Sequence, residues 1–280
     1  MLVVDTHVHV IASKANLNYP RAETAAQIDW VTGHAVELDA LIPRLSSAGV
    51  EKAVLVQPVS CYAFDNSYAA DSALRFPERF TSVGAFDYGA DGAAEALTYW
   101  VRERGIRGAR LRPTSNQRLD DARTLPVWQT CKDLGIPVVV QGITPNLYGQ
   151  LIRVLDRFAD VKIALDHLGG NPVDEGTQFA QAQPLFDLAR YPNVYLKYTT
   201  TMFEACRAAK VVPHEFFGLL LEHYGAERLM WGSNYSANHE PQWPYEATIN
   251  VAREMAAHFP EQQQAQILGE AALALWPELR

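Results

Sequence analysis

The sequence predicts an α/β protein, a single-domain (β/α)8 TIM barrel spanning residues 1–280. Three observations carry that expectation. Short β-branched and apolar runs recur eight times along the chain. Each is followed by an amphipathic helical window, the signature of βα units that feed a parallel sheet. With 280 residues, 48% of them hydrophobic, and no linker or low-complexity segment, the chain has the size of one such barrel.

The strands are expected over 2–8, 52–57, 80–87, 107–112, 137–141, 162–166, 193–197 and 228–232. The helical windows lie near 38–48, 69–76, 93–104, 125–134, 147–158, 183–189, 215–224 and 243–258, and 261–275 reads as one more helix packed on the outside. Gly49 and Gly135 follow their helices and Pro137 opens the next strand, the punctuation that ends one unit and starts another.

The first strand carries Val3-Val4-Asp5-Thr6-His7-Val8-His9-Val10. Alternation along a strand sends positions i and i+2 to one face, so His7 and His9 point the same way. Two such imidazoles can hold a metal or polarise one substrate oxygen, and they can equally be two satisfied histidines on an edge.

Composition narrows the function. A formal charge of −8 lacks the basic face that nucleic acid requires. No run of eighteen apolar residues is present, so no membrane span is expected, and no secretory signal is visible at the start. Cys61, Cys131 and Cys206 are odd in number and widely spaced, which fits neither a disulfide framework nor a zinc ribbon and points to a reducing cytoplasm. A small-molecule substrate is the expected partner, with a homodimer as the default assembly.

Active sites in (β/α)8 barrels sit at the C-terminal ends of the strands. The polar residues there are His7 and His9, then Gln57, Asp87, Arg110 with Arg112, Gln141, Asp166 with His167, Lys197 with Tyr198, and Asn234. Gln57, Arg110, Arg112, Gln141, Lys197 and Tyr198 are candidates for binding substrate. An arginine there matches a carboxylate with its planar fork, unless it is spent on an internal ion pair such as one with Asp87. The long stretch 11–37, holding Tyr19, Trp30 and His34, reads as a lid or specificity wall. The loops 61–66 and 235–243 add aromatic walls suited to a cyclic ligand.

Asp5-Thr6-His7-Val8-His9, Leu165-Asp166-His167-Leu168-Gly169, Asn193-Val194-Tyr195-Leu196-Lys197 and Met230-Trp231-Gly232-Ser233-Asn234, in this order, resemble the amidohydrolase-related family. The branch they resemble includes 2-pyrone-4,6-dicarboxylate lactonase and sugar-acid lactonases. The resemblance spans nearly the whole chain. It implies a (β/α)8 barrel and one of three chemistries: divalent-metal hydrolysis, metal-dependent non-oxidative decarboxylation, or lactone opening without a tightly bound metal.

Two departures stand out. Many relatives carry an aspartate, both metal ligand and general base, where this chain has Asn234. A neutral amide accepts no proton near neutral pH. Asn234 therefore reads as a native hydrogen-bonding group or neutral ligand, as an inactivating replacement of aspartate, or as the sign of a base moved elsewhere, to His239, Glu240 or Asp166. Gln141 stands where metal-binding members often have a histidine, which argues against two metals. His7, His9 and His167 then remain as ligands of one zinc or manganese ion, or act on a carbonyl with no metal at all. His214, His223 and His258 fall in helical windows away from the strand ends and are expected to be incidental.

The expected activity is hydrolysis of a small carboxylated lactone. His7, His9 and His167 act on the carbonyl or on a metal-bound water, Arg110 or Arg112 holds the carboxylate, and Asn234 positions the water. A decarboxylase of a carboxylated ring and a catalytically silent, ligand-binding barrel are the alternatives.

Overall fold

A computed structural model describes residues 1–23, 25, 29–33, 35–173, 179–237 and 243–280, leaving the side chains of 29 and 30 aside. Eight parallel strands lie in the order β1 to β8: Val4–Val8, Lys52–Val56, Phe80–Ala85, Ala109–Leu111, Val138–Val140, Ile163–Leu165, Val194–Tyr198 and Leu229–Trp231. All eight fall within a residue of their expected windows or inside them. The last strand returns to the first through a parallel bridge between Val8 and Tyr235, with His9 N donating to Tyr235 O at 2.5 Å and Asn234 N to His7 O at 2.8 Å.

Between the strands run helices α1 Leu38–Ser47, α2 Ser67–Arg75, α3 Ala93–Arg102, α4 Leu125–Leu134, α5 Tyr148–Arg157, α6 Gln183–Asp187, α7 Thr200–Ala208, α8 Pro213–Tyr224, α9 Tyr245–Ala256 and α10 Glu261–Leu268. Helix α7 was not among the expected windows; its sequence has few large apolar residues to mark a stripe, yet Met202, Phe203 and Cys206 bury one face.

Alternation along each strand divides the apolar residues into two layers. Val8, Leu55, Phe80, Leu111, Val138, Val140, Leu165, Leu196 and Trp231 face outward to the helices. Val4, Val54, Val56, Val83, Val139, Ala164, Tyr195 and Met230 fill the barrel. The two sets differ by one position, so side-chain parity decides which strand-end residues reach the mouth.

The segment after α10 corrects an expectation. Instead of continuing as an outer helix, the chain breaks at Gly269, where a Cβ would strike the Leu2 carbonyl, and Ala271, Ala272, Leu275, Trp276 and Leu279 join the interior cluster. Thr81 Oγ1 donates to Glu278 Oε1 at 2.7 Å, pinning this tail beneath the N-terminal ends of the strands. Trp276 is fully buried there. Its replacement by alanine should destabilise the protein by about 3–5 kcal/mol, the usual cost of emptying a large aromatic site; urea unfolding of wild type and W276A checks this.

Candidate active site

The site starts with a local distortion of β1. The register against β2 shifts between Asp5 and Val8, a bulge that re-aims the side chains beside it. Asp5 points out of the barrel, where Oδ1 accepts N–H bonds from His7 at 3.0 Å and Ser233 at 2.9 Å, and Oδ2 accepts the Tyr245 hydroxyl at 3.0 Å. One buried carboxylate thus ties both sides of the closing seam. Burial pushes the Asp5 carboxyl above its ordinary value, and these three donors oppose that. Gly232 is required at the same seam, because a Cβ there would lie 2.6 Å from His7 Cβ.

Inside the barrel, Asp166 is the hub. Its Oδ1 lies 3.1 Å from His7 Nδ1 and 3.4 Å from Lys197 Nζ, while Oδ2 accepts Arg110 Nε at 3.0 Å and lies 2.9 Å from a second guanidinium nitrogen. All four side chains are nearly or completely buried. Burial pushes the Asp166 carboxyl up, but the His7 hydrogen bond and the Lys197 and Arg110 charges override this and hold it well below the carboxylate range. Burial drives the His7 imidazole well down, so the positive charge that keeps Asp166 ionised rests on Arg110 and Lys197. Lys197 is also pushed down by burial, with Asp166 opposing.

Three imidazoles stand above this hub, with the His7 ring 5.0 Å from that of His9 and 5.1 Å from that of His167. His9 Nδ1 lies 2.7 Å from the Val56 carbonyl, and its imidazole is lowered to about 3 by burial and by the Arg110 charge. His167 and Leu168 take left-handed backbone angles, φ 53° and 51°, which turn the chain sharply after β6 and swing the imidazole over the mouth. His167 Nδ1 lies 2.8 Å from Thr199 Oγ1, and loss of hydration with nearby Arg110 and Lys197 lowers it to about 4.

Hydrogen-bond partners fix two tautomers. A carbonyl and an ionised carboxylate only accept, so His9 and His7 carry hydrogen on Nδ1 and a lone pair on Nε2. The lone pair of His7 faces an Arg110 guanidinium nitrogen at 3.4 Å. Among the described residues no three His, Cys, Asp or Glu side chains group as metal ligands.

The other expected residues separate by parity. Arg112 shares the inner face of β4 with Arg110 and is exposed at the mouth. It lies beside Gly142, where a Cβ would come 3.5 Å from Arg112 Nε, and it forms no ion pair among the described residues. Gln141 is half-buried on the inner face of β5, its Oε1 without a partner. Asn234 follows β8 in a left-handed conformation, φ 55°, that asparagine tolerates well.

Four expectations need correction. Gln57 lies on the outer parity of β2 and gives both Nε2 hydrogens to the loop carbonyls of Ala63 and Asp65, so it braces that loop. Tyr198 packs its ring 4.8 Å from Phe217 in the helix layer, away from the mouth. Lys197 points inward but is sealed between Asp166 and the Trp276 ring, 5.2 Å below it. The internal partner of Arg110 is Asp166, while Asp87 is exposed and accepts Gln117 Nε2 at 2.7 Å.

Asp166, with both oxygens held by its neighbours, is not placed to serve as a base. His239 and Glu240 lie outside the described residues, as do His34 and the Trp30 side chain. The described part of stretch 11–37 packs Ile11, Ala25 and Val31 against Cys61 and Tyr62. His214 stacks on His258 at 3.8 Å and His223 on Phe186 at 4.5 Å, all on the helix layer. Sequence reasoning missed Asp5 and Thr199; the only signal for Thr199 was its inner parity, two residues after Lys197.

The fold and this constellation define a barrel hydrolase of the amidohydrolase class. A family model described as amidohydrolase matches residues 4–277, and the chain belongs to that family. It is 27% identical over 201 residues to an L-fucono-1,5-lactonase from Burkholderia ambifaria, covering 70% of this chain and 68% of that protein. In shape it is similar to a putative 2-pyrone-4,6-dicarboxylic acid hydrolase from Pseudomonas putida, at 23% identity and TM-score 0.78 over 99% of this chain and 98% of that one. It is also similar to a zinc-bound amidohydrolase from Burkholderia multivorans, at 19% identity and TM-score 0.77 over 99% of both chains. These two solved structures share the fold.

The histidines tie stability to pH. Unfolded imidazoles take up protons near 6.5, while folded His9 and His167 resist until about 3 and about 4. Between those values the unfolded chain binds more protons, so stability must fall as pH is lowered from 6.5. Melting temperatures from pH 7.5 down to 4.5 should decline, and H9Q should flatten the slope; a Tm constant over that range contradicts the assignment.

Proposed function

We propose that this chain opens a small carboxylated lactone by adding water to its carbonyl, without a bound metal. The observation that carries the reading is the buried Arg110–Asp166–Lys197 cluster beneath three neutral imidazoles. Two cations surround one carboxylate, leaving fixed positive charge under the mouth, where a tetrahedral intermediate develops its negative charge. The curated relative, a lactonase, supports the same chemistry.

The donor set does not fit a divalent ion. Binding through His7, His9 and His167 would require the His7 Nε2 lone pair, and the Arg110 guanidinium already stands against it. A divalent ion would also add to two buried cations at that point.

Substrate enters with its carboxylate on Arg112, the mouth cation uncommitted among the described residues. Asn234 positions the attacking water, which passes a proton to solvent water at the mouth as its oxygen bonds to the carbonyl carbon. Positive charge below and His167 at the mouth stabilise the oxyanion. Collapse of the intermediate breaks the ring C–O bond, and the leaving oxygen takes a proton from solvent water, releasing an open hydroxy acid. Three buried free thiols, Cys61, Cys131 and Cys206, support a reducing, cytoplasmic setting.

The test is acid release from a panel of carboxylated lactones before and after treatment with a chelator. Opening should persist after chelation, and R112A should raise KM about tenfold or more for carboxylated lactones while sparing neutral ones. Release of carbon dioxide from a carboxylated ring, or activity lost on chelation and restored by zinc or manganese, would overturn the reading.

A further inference from the structure

We infer that Thr199 is a positioning residue that sets the tautomer of His167, leaving the hydrogen on Nε2, where it donates to the reacting carbonyl oxygen. The role of that donor rests on the lactone-opening reading; the tautomer itself does not.

The three site histidines differ in what their Nδ1 atoms face. His7 meets a carboxylate and His9 a carbonyl, both acceptors only, so neither can offer an Nε2–H while neutral. His167 Nδ1 faces a hydroxyl, which can give or take a hydrogen. Among the three, His167 alone can therefore be a neutral donor at Nε2. Which tautomer it holds depends on the direction of the hydroxyl chain behind it.

That chain is short and fully traced. Asn171 Nδ2 donates to Thr201 Oγ1 at 2.8 Å, Thr201 Oγ1 lies 2.8 Å from Thr199 Oγ1, and Thr199 Oγ1 lies 2.8 Å from His167 Nδ1. Each hydroxyl has one hydrogen to give. Since Thr201 receives from the amide, its own hydrogen goes to Thr199, and that of Thr199 goes to His167 Nδ1. In the opposite direction Thr201 would accept twice, and its own hydrogen would be left without an acceptor in the chain, because His167 Nδ1, 3.5 Å away, would itself carry a hydrogen. The amide orientation follows the same logic. It leaves Asn171 Oδ1 as a lone unpaired acceptor, whereas the flipped amide would leave an unpaired NH2, and orphaned donors are the rarer of the two.

Thr199 is fully buried just past the end of the strand that carries Lys197, with the inward parity of that lysine, so its hydroxyl is held in place by the barrel. His167 arrives on a tight left-handed turn, and its Nδ1 lies 2.8 Å from that hydroxyl. The hydroxyl therefore supplies both the orientation and the tautomer of the imidazole.

The experiment is 15N–1H correlation NMR on protein labelled at histidine, recorded near pH 7.5, with the His167 signals identified by their loss in H167N. Wild type and T199S should show hydrogen on Nε2, and T199V should lose that preference. N171D places an acceptor-only carboxylate at the start of the chain, so it should reverse the hydroxyls and move the hydrogen to Nδ1; its half-buried site spares the core if T199V folds poorly. With lactone substrate, T199V should lower kcat about 10²-fold, as removing one oxyanion donor does, with KM changed less than about threefold, and T199S should restore most of the rate. Hydrogen on Nδ1 in wild type, or an unchanged tautomer in both T199V and N171D, overturns the inference. If no lactone is opened by wild type, the functional reading fails while the NMR result still decides the tautomer.

Discussion

A single ionised carboxylate, buried where water cannot screen it, is the constraint around which the rest of the barrel is arranged. Asp166 has no solvent to stabilise its charge, so protein groups must do so, and Arg110 and Lys197 come from the inner faces of two further strands to meet it. Such a charge is tolerable only when its oxygens are surrounded by donors. That requirement fixes Arg110 against His7 and consumes the lysine. It also leaves the mouth with neutral imidazoles over a positive floor.

The closing seam imposes a second constraint. Strands β1 and β8 are far apart in sequence, yet the His7 carbonyl and the His9 amide are the groups that join them. The backbone that shuts the barrel is the backbone that presents the histidines. Asp5 reinforces this from outside by taking one N–H from each side, and Gly232 permits the close approach that a side chain would forbid. Fold closure and site geometry are therefore one event at this edge.

Much of this was legible from the amino acids alone. Period-two and helical patterns located all eight strands, because each βα unit buries its own apolar faces. The pairing of His7 with His9 followed from alternation. What alternation could not supply was absolute phase: Gln57 and Tyr198 stand at strand ends like true mouth residues, yet lie one position out of step and face the helices. Lys197 was correctly inward but too deep, since depth depends on how far each strand is staggered. Thr199 matters through a hydroxyl chain that spans two segments, and no local pattern reports that. The tail from Ala271 onward looked like another amphipathic surface helix, and only the open end of the barrel explains why its apolar side turns inward.

That tail has a consequence for how the protein is made. Trp276 follows all eight strands in the chain, and it is the ring on which the Lys197 ammonium rests. A ribosome that has released the strands but not yet this segment leaves the charged centre open to water from below, with the lysine hydrated and its grip on Asp166 loosened. The interior charge cluster is therefore dry only once this segment has docked. Until then a nascent barrel can close its wall without acquiring the low-dielectric floor on which its electrostatics depend.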